Sequence, residues 1–218
     1  IVIDNRPGAN GSIGATAVAK AAPDGYTLLL ADRGVFGVNP SLYKKLPYNP
    51  SSDFAYVGIA VRAPYVLVAG AAVPGKDLPQ LVSHAKANAC KLHYASFGIG
   101  SMAQLNLEAF NHRLGTDMLH VPYKGAAPAA QAVVAGDVGV TIAAVPAVQG
   151  FIKDGRLRAL AVGAETRFPV LPDVPTMAEA GAPNDILVPT YFALLAPANT
   201  PAAIASSREK AVTSTQRG

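Results

Sequence analysis

The sequence has little cysteine and little charge, and these shortages exclude several kinds of protein. Of the 218 residues one is cysteine, none is tryptophan and 15% are charged. A lone cysteine excludes an intrachain disulfide and a Cys-x-x-Cys metal pair, so we expect Cys90 to be a half-buried thiol near the start of a strand. No apolar run approaches the ~20 residues of a membrane-spanning helix.

The charged and titratable residues show no functional cluster. The net charge of +4 comes from scattered basic residues, whereas a nucleic-acid-binding face needs a clustered patch. A mild positive balance suits an anionic small ligand. The four histidines are not spaced as metal ligands and no Ser–His–Asp set can be assembled, so we expect no metal, no cofactor and no catalysis.

What the chain does have is apolar material and turn-forming residues. Half of the residues are hydrophobic, with 20 glycines and 18 prolines, which indicates a folded chain with short connections. Its length fits one large domain or two small lobes. No signal peptide is visible and the chain opens directly on the apolar segment IVID, so we expect upstream sequence to be missing.

Apolar runs alternate with amphipathic segments along the chain, which predicts alternating strands and helices. The predicted strands cover residues 1–4, 26–31, 56–61, 65–70, 92–96, 118–121, 138–143, 157–162 and 190–195. The predicted helices cover residues 13–21, 39–43, 78–88, 102–114, 128–135, 147–153 and 176–180. The tail from Thr200 onward is polar and poorly patterned. The continuously apolar strand 26–31 is expected to be buried on both faces, as in a parallel sheet.

Two segments of the chain have a similar pattern. Residues 17–31 and 151–162 both run from a helix end through a lysine and an Asp-Gly turn into an apolar strand. This repetition predicts an α/β fold of two lobes, each a mostly parallel sheet flanked by helices. Ligands of such sheets bind at the carboxyl ends of the strands.

Between Lys91 and Gly136 the chain twice passes from a strand through a small-residue loop into a helix. The two units are KLHYAS–FGIGS–MAQLNLEAFNHRL and MLHVPY–KGAAP–AAQAVVAG. Unpaired N–H groups and the positive end of the dipole favour an anion at a helix start. Two such starts in succession predict a receptor that holds a carboxylate from two sides of a cleft.

The first of these loops carries Ser96, Gly98, Gly100 and Ser101, which we call the first clamp loop. Glycines let backbone N–H groups approach an oxygen closely, and the Ser101 hydroxyl can cap the helix or donate to a ligand. The alternative is a tight strand-to-helix turn with an ordinary serine cap. FGIGS is neither a Gly-x-Ser-x-Gly elbow nor a complete dinucleotide loop.

The second clamp loop carries Tyr123, Lys124, Gly125 and Ala126. Two N–H groups at a helix start can hold a carboxylate without a charged side chain. Lys124 either adds charge or is a solvated loop lysine. Pro128 is predicted as the first residue of the following helix.

Two further candidates follow the apolar strand 26–31. Arg33 at the end of this strand can pair bidentately with a carboxylate, and Phe36 can form an apolar wall of the site. The alternative for Arg33 is a surface salt bridge with Asp32 or Asp53.

Six stretches of the sequence resemble one family. They are NRPGANGSIGATAVAKAAPDGYTLL, NPSLYKKLPYNPSSDF, KLHYASFGIGS, HVPYKGAAPAAQAVVAGDV, DGRLRALAV and LPDVPTMAEAG. These stretches are similar to the Bug-type solute receptors of tripartite tricarboxylate transporters. The resemblance implies a two-lobed, periplasmic-binding-protein-like (Venus flytrap) fold. It implies a first lobe of residues 1–98 with 188–218 and a second lobe of residues 99–187.

The resemblance also implies a function. Such a receptor is periplasmic and monomeric, and it delivers a small carboxylate (an organic acid, an aliphatic dicarboxylate or an aromatic acid) to the membrane permease subunits. It adds Gln104, Ala143 and Pro146 to the expected ligand-binding residues. Many relatives have histidine at the position of Gln104 and polar residues at Ala143-Ala144, so an amino-acid ligand is not expected here.

The family pattern includes an upstream strand with a Pro-Gly-Gly loop and a C-terminal helical region, which this sequence lacks. We therefore expect a fragment of the receptor, and a non-functional fragment is one alternative. A second alternative is the effector-sensing domain of a transcription regulator, which requires an upstream helix-turn-helix. A third is an α/β enzyme, which requires a convergent base and nucleophile.

Overall fold

A computed structural model describes residues 1–215, with side chains described through residue 210. The strands are β1 Leu29–Asp32, β2 Phe54–Ala63, β3 Tyr65–Gly70, β4 His93–Ser96, β5 Leu119–Pro122, β6 Val140–Ala144, β7 Leu157–Val162 and β8 Thr190–Pro197. The helices are α1 Ser12–Ala19, α2 Asn39–Leu42, α3 Leu78–Ala87, α4 Met102–Leu114, α5 Ala126–Ala135, α6 Val145–Lys153 and α7 Ala202–Thr215. Within residues 1–215, the helices are all too short or too polar to cross a membrane.

The chain divides into two compact units. The first unit is Ile1–Arg62 with the described residues from Tyr191 onward, and the second is Ala63–Thr190. This division differs from the expected lobes, which placed residues 63–98 in the first lobe. The reason is strand pairing, because β3 and β4 hydrogen-bond within the second unit's sheet. Residues 216–218 of the expected first lobe lie outside the described residues.

The second unit is built on a five-stranded sheet in the order β5-β4-β6-β3-β7. Strand β4 is parallel to β5 and β6, whereas β3 is antiparallel to both of its neighbours, β6 and β7. The sheet is therefore mixed and not mostly parallel as expected. Helices α5 and α6 pack on it around a core that includes Val66, Val133 and Val148.

The first unit has a three-stranded sheet in the order β1-β8-β2. Strand β1 is an edge strand antiparallel to β8, and Leu30 is 58% exposed, so the expected burial of this strand on both faces is wrong. The expected strand at residues 1–4 is absent, since Ile1 to Ile3 are exposed and pair with no other strand of the described chain. In the core of the first unit, α1 packs against β1 and β8 through Val18, Leu29 and Leu195.

Local signals placed most helices within a few residues. Asp77 caps α3 by accepting from Gln80 N, and Gly136 ends α5 in the left-handed conformation. Several expectations are wrong. Helices α5 and α6 begin two residues earlier than predicted, so Pro128 is the third helical residue of α5. Residues 177–180 form a turn, Thr176 makes an isolated parallel bridge with Val162, and part of the polar tail forms α7. Cys90 is exposed, with its Sγ 2.9 Å from Asp117 Oδ2.

Candidate functional site

Three helices begin at one edge of the second unit's sheet. The parallel strands β4, β5 and β6 end at this edge and lead into α4, α5 and α6 respectively. Helix starts present unpaired N–H groups and the positive end of the helix dipole. The edge therefore gathers three positive helix ends in a single place.

The two glycines of the first clamp loop are hydrogen-bonded to the side chains of Ser96 and Gln104. Ser96 Oγ lies 3.2 Å from Gly98 N, which donates to it, and 3.1 Å from the Gly98 carbonyl oxygen, to which it donates. Gly100 N donates to Gln104 Oε1 at 2.7 Å. The amides of Gly98 and Gly100, expected to meet an anion, are thus engaged by the protein's own side chains.

Ser101 and Gln104 shape the start of α4. Ser101 is the N-cap, and its Oγ accepts from Gln104 N at 3.4 Å. Ser96 and Ser101 are both buried, whereas Gln104 is half-buried. The structure therefore gives Ser101 the ordinary capping role that the sequence left as an alternative.

The second clamp loop leaves its helix start without a side-chain cap. Gly125 is the N-cap of α5, with φ 136° and ψ 174°, and no side chain bonds to the first amides. Tyr123 is half-buried and its N–H donates to the Ser96 carbonyl oxygen at 2.9 Å, so the two clamp loops are directly joined. Lys124 is exposed beside this helix start.

Helix α6 follows β6 without a loop. Ala144 is its N-cap, no side chain caps it, and Pro146 lies exposed in its first turn. Ala143 is fully buried in the core around β3 and β6. Its side chain therefore faces the core, while Pro146 lies at the surface of the edge.

Arg33 and Phe36 lie in the first unit. The Arg33 guanidinium carbon is 5.6 Å from the centre of the Tyr191 ring, a cation–π arrangement. Phe36 is half-buried and meets Phe54 edge to face, with ring centres 5.8 Å apart. Burial raises the pKa of the neighbouring Asp32 carboxyl, although this carboxylate accepts a hydrogen bond from Gly34 N at 2.9 Å.

A buried asparagine organises the loops around Phe36. Asn39 is fully buried, and its Nδ2 lies 3.1 Å from the Asn10 carbonyl oxygen and 3.0 Å from Tyr48 Oη. Its Oδ1 accepts from Asn10 Nδ2 at 2.8 Å. Tyr48 Oη in turn donates to the Val35 carbonyl at 2.7 Å. Asn39 thus connects the glycine-rich loop before α1 to the segment that carries Phe36.

We expect Asn39→Ala to lower the free energy of unfolding by about 2 kcal/mol, because its buried partners lose their hydrogen bonds. The change is measured by urea unfolding. Asn49→Ala is the control: Asn49 is exposed and its side chain accepts one turn bond, from Ser51 N. A loss for Asn39→Ala no larger than that of the control would contradict the role given to Asn39.

A polar cluster that the sequence did not predict adjoins the first clamp loop. His120 Nε2 on β5 lies 2.6 Å from Ser96 Oγ, and the His120 ring stacks on Tyr94 with ring centres 5.0 Å apart. The Tyr94 hydroxyl donates to Glu108 on α4. Burial lowers the pKa of His120, and the charge of Glu108 opposes this effect. Burial and the bond to Glu108 raise the pKa of Tyr94.

The groups that this edge presents are backbone amides at helix starts, which favour an anion. In the part of the chain that the structure describes, no three His, Cys, Asp or Glu side chains come together as metal ligands would. The uncapped starts of α5 and α6 instead offer N–H groups and positive helix ends to a carboxylate.

Comparison with known proteins places the chain in a family. The model of the tripartite tricarboxylate transporter family receptor, TctC, matches residues 1–218. The chain is 39% identical over 204 residues to a protein encoded in the tcbD–tcbE intergenic region of Pseudomonas sp. strain P51, covering 94% of this chain and 60% of that protein. It is 39% identical over 201 residues to protein BugT of Bordetella pertussis, covering 92% and 61% respectively. The chain thus spans about 60% of the length of these curated relatives.

Solved structures of similar proteins share the fold of this chain. Rpa4515 of R. palustris, solved with adipate, superposes with a TM-score of 0.93 at 35% identity, covering 97% of this chain and 71% of that one. MatC of Rhodopseudomonas palustris, with bound malate, gives 0.86 at 36% identity, covering 95% and 70%. The periplasmic binding protein BugD gives 0.90 at 35% identity, covering 97% and 70%.

These matches confirm the α/β, periplasmic-binding-protein-like fold class expected from the sequence. They also confirm the family expected from the six stretches, because the family model and the curated relatives each cover nine-tenths of the chain or more. The chain belongs to the TctC, or Bug-type, family of tripartite tricarboxylate transporter receptors.

Proposed function

We propose that the chain is the solute-binding part of a periplasmic receptor that takes up a small carboxylate and delivers it to the permease of a tripartite tricarboxylate transporter. The observation that carries this proposal is the edge of the second unit where α4, α5 and α6 begin. Membership of the family supports it. The receptor acts by binding alone, as a monomer, without catalysis.

The proposed carboxylate contacts are the first amides of α5. Ala126 and Ala127 are the first two residues of this helix, and Pro128 after them has no N–H. No side chain caps these amides, so a ligand oxygen supplies the acceptor they lack. Each favourable interaction of an anion with a helix start contributes about 0.3–1 kcal/mol. The exposed Lys124 adds a positive charge beside them.

An aliphatic dicarboxylate is the proposed ligand class. The related Rpa4515 and MatC structures contain adipate and malate respectively, and each has two carboxylates. The alanines at the starts of α5 and α6 are small and apolar, which suits a ligand with charged ends and a short hydrocarbon body. We retain Arg33 and Phe36 of the first unit as predicted ligand-binding residues.

Titration calorimetry with adipate, malate and benzoate tests the proposal. We expect adipate or malate to bind and dimethyl adipate not to bind, because the ester carries no negative charge for the helix starts. Binding should weaken as salt is added, since Lys124 and Ala127 are exposed and salt screens the charges that act there. Failure of all three acids to bind, or equal binding of the diester, would overturn the proposal, and binding of benzoate alone would overturn the aliphatic dicarboxylate as the ligand class.

A further inference from the structure

The first clamp loop depends on a histidine that lies outside it. His120 is on β5, parallel to β4, and the register places Tyr94 opposite His120. Because alternate residues of a strand face the same way, Ser96 lies on the same face of β4 as Tyr94. The imidazole therefore meets the Ser96 hydroxyl from the neighbouring strand, with Nε2 2.6 Å from Oγ.

The three contacts of Ser96 Oγ fix where its proton lies. A serine hydroxyl has one hydrogen to donate and two lone pairs that accept. Gly98 N is a donor at 3.2 Å, and the Gly98 carbonyl is an acceptor at 3.1 Å. All three contacts are satisfied when Ser96 donates to the carbonyl and accepts from both Gly98 N and His120 Nε2. This arrangement requires a hydrogen on Nε2.

The other neutral tautomer does not satisfy the same contacts. With the hydrogen on Nδ1, Nε2 is an acceptor, and Ser96 must donate to it. The Gly98 carbonyl then faces a hydroxyl lone pair at 3.1 Å, and the loop loses a hydrogen bond. The titratable groups facing the ring come from two packed elements: the neutral Tyr94 hydroxyl on β4 and the Glu108 carboxylate on α4.

We propose that His120 is a positioning residue for the first clamp loop and acts as the Nε2–H tautomer. It donates to Ser96 Oγ, which holds both the N–H and the carbonyl of Gly98. The Ser96 carbonyl accepts from Tyr123 N in the second clamp loop, so the same residue joins both loops. His120 thereby pre-forms the site before the ligand arrives, which reduces the ordering that binding requires. This inference rests on the proposed carboxylate-binding function.

Nitrogen NMR of the unmodified protein tests the tautomer. Long-range ¹H–¹⁵N correlation spectra at about pH 8, above the ordinary histidine pKa, report which ring nitrogen of His120 carries the hydrogen. We expect a protonated Nε2 and a nonprotonated Nδ1. A His120 spectrum with the hydrogen on Nδ1 would overturn the inference, whether or not any ligand binds.

Two substitutions separate positioning from packing. His120→Gln keeps an N–H donor at the place of Nε2, whereas His120→Leu keeps volume and removes the donor. We expect His120→Leu to raise the dissociation constant for adipate or malate roughly fivefold to tenfold, the effect of losing about one hydrogen bond. His120→Gln should restore binding to within about twofold of the unsubstituted protein.

Hydrogen exchange of the Gly98 amide gives a second measurement, which does not depend on ligand binding. We expect its hydrogen exchange to speed up at least about fivefold in Ser96→Ala and in His120→Leu, and not in His120→Gln. His112→Gln is the control, because His112 is an exposed residue in the last turn of α4. Equal exchange and equal affinity in His120→Leu and His120→Gln would contradict the inference.

Failure of the inference and failure of the proposed function are distinguishable. If the unsubstituted protein binds no carboxylate, the proposed function fails, while the tautomer and the Gly98 exchange rate still decide the role of His120. If the protein binds a carboxylate and His120→Leu binds it equally well, the proposed function stands and the positioning role fails.

Discussion

Gly125→Ala is expected to raise the dissociation constant for the carboxylate at least about tenfold. Gly125 precedes α5 with φ 136° and ψ 174°, a conformation that residues with a Cβ almost never adopt and that costs them about 1–3 kcal/mol. The nearest atom to an added Cβ is Pro128 Cδ at 3.9 Å, so the methyl group itself meets no obstacle. The backbone must rotate instead, which turns the Ala126 and Ala127 amides away from the ligand. Titration calorimetry with adipate or malate measures the effect.

Gly136→Ala is the matched control at the other end of the same helix. Gly136 has φ 86° and no atom within 4 Å of an added Cβ, so alanine there is strained by about 1 kcal/mol without a collision. We expect this variant to lose stability and to keep its affinity. If both alanine variants bind equally well, the start of α5 does not hold the carboxylate.

The sequence predicted the start of α3 and the end of α5 because their signals are local. Asp77 lies one residue before α3 and accepts from Gln80 N, as an aspartate at the N-cap position predicts. Gly136 ends α5 in the left-handed conformation, as a glycine after the last apolar residue predicts. The apolar spacing of α4 predicts Ala103, Leu107, Phe110 and Leu114 in the core; the first three are fully buried, whereas Leu114 is half-buried.

Sheet membership could not be predicted in the same way, because pairing is chosen between segments far apart in the chain. The sequence of β3 shows an apolar strand but not that it is antiparallel to β6 and β7. Its pairing moves residues 63–98 out of the expected first lobe. The apolar segment at residues 1–4 has strand propensity but no partner in the described chain, so propensity alone does not make it a strand.

The side-chain contacts of the candidate site could not be predicted either, for the same reason. The sequence identified the clamp loops, since strands that end in small residues before helices can be recognised locally. It did not show that Gly98 and Gly100 are engaged by Ser96 and Gln104. The sequence placed His120 in a strand but predicted no side-chain partner for it. The parallel register of β4 and β5, which the sequence does not show, brings His120 beside Ser96.

Gly163→Ala is expected to lower the free energy of unfolding by about 3 kcal/mol, at the upper end of what overpacking of a core costs. Gly163 is buried after β7 and its N–H donates to the Tyr65 carbonyl at 2.8 Å. An added Cβ would lie 2.6 Å from Leu187 Cβ and closer still to the Leu187 carbonyl oxygen. A backbone oxygen cannot move aside as a flexible side chain can, so the strand itself must shift. Urea unfolding measures the loss.

Gly150→Ala provides the control for this effect within the same unit. Gly150 lies in α6, is exposed, and has no atom within 4 Å of an added Cβ. Alanine there should raise the free energy of unfolding by about 0.5–1 kcal/mol, because it restricts the unfolded chain and favours the helix. Replacing glycine by alanine is therefore expected to lower the free energy of unfolding at Gly163 and to raise it at Gly150. A gain of stability at Gly163 would mean that Leu187 does not pack against the end of β7 as described.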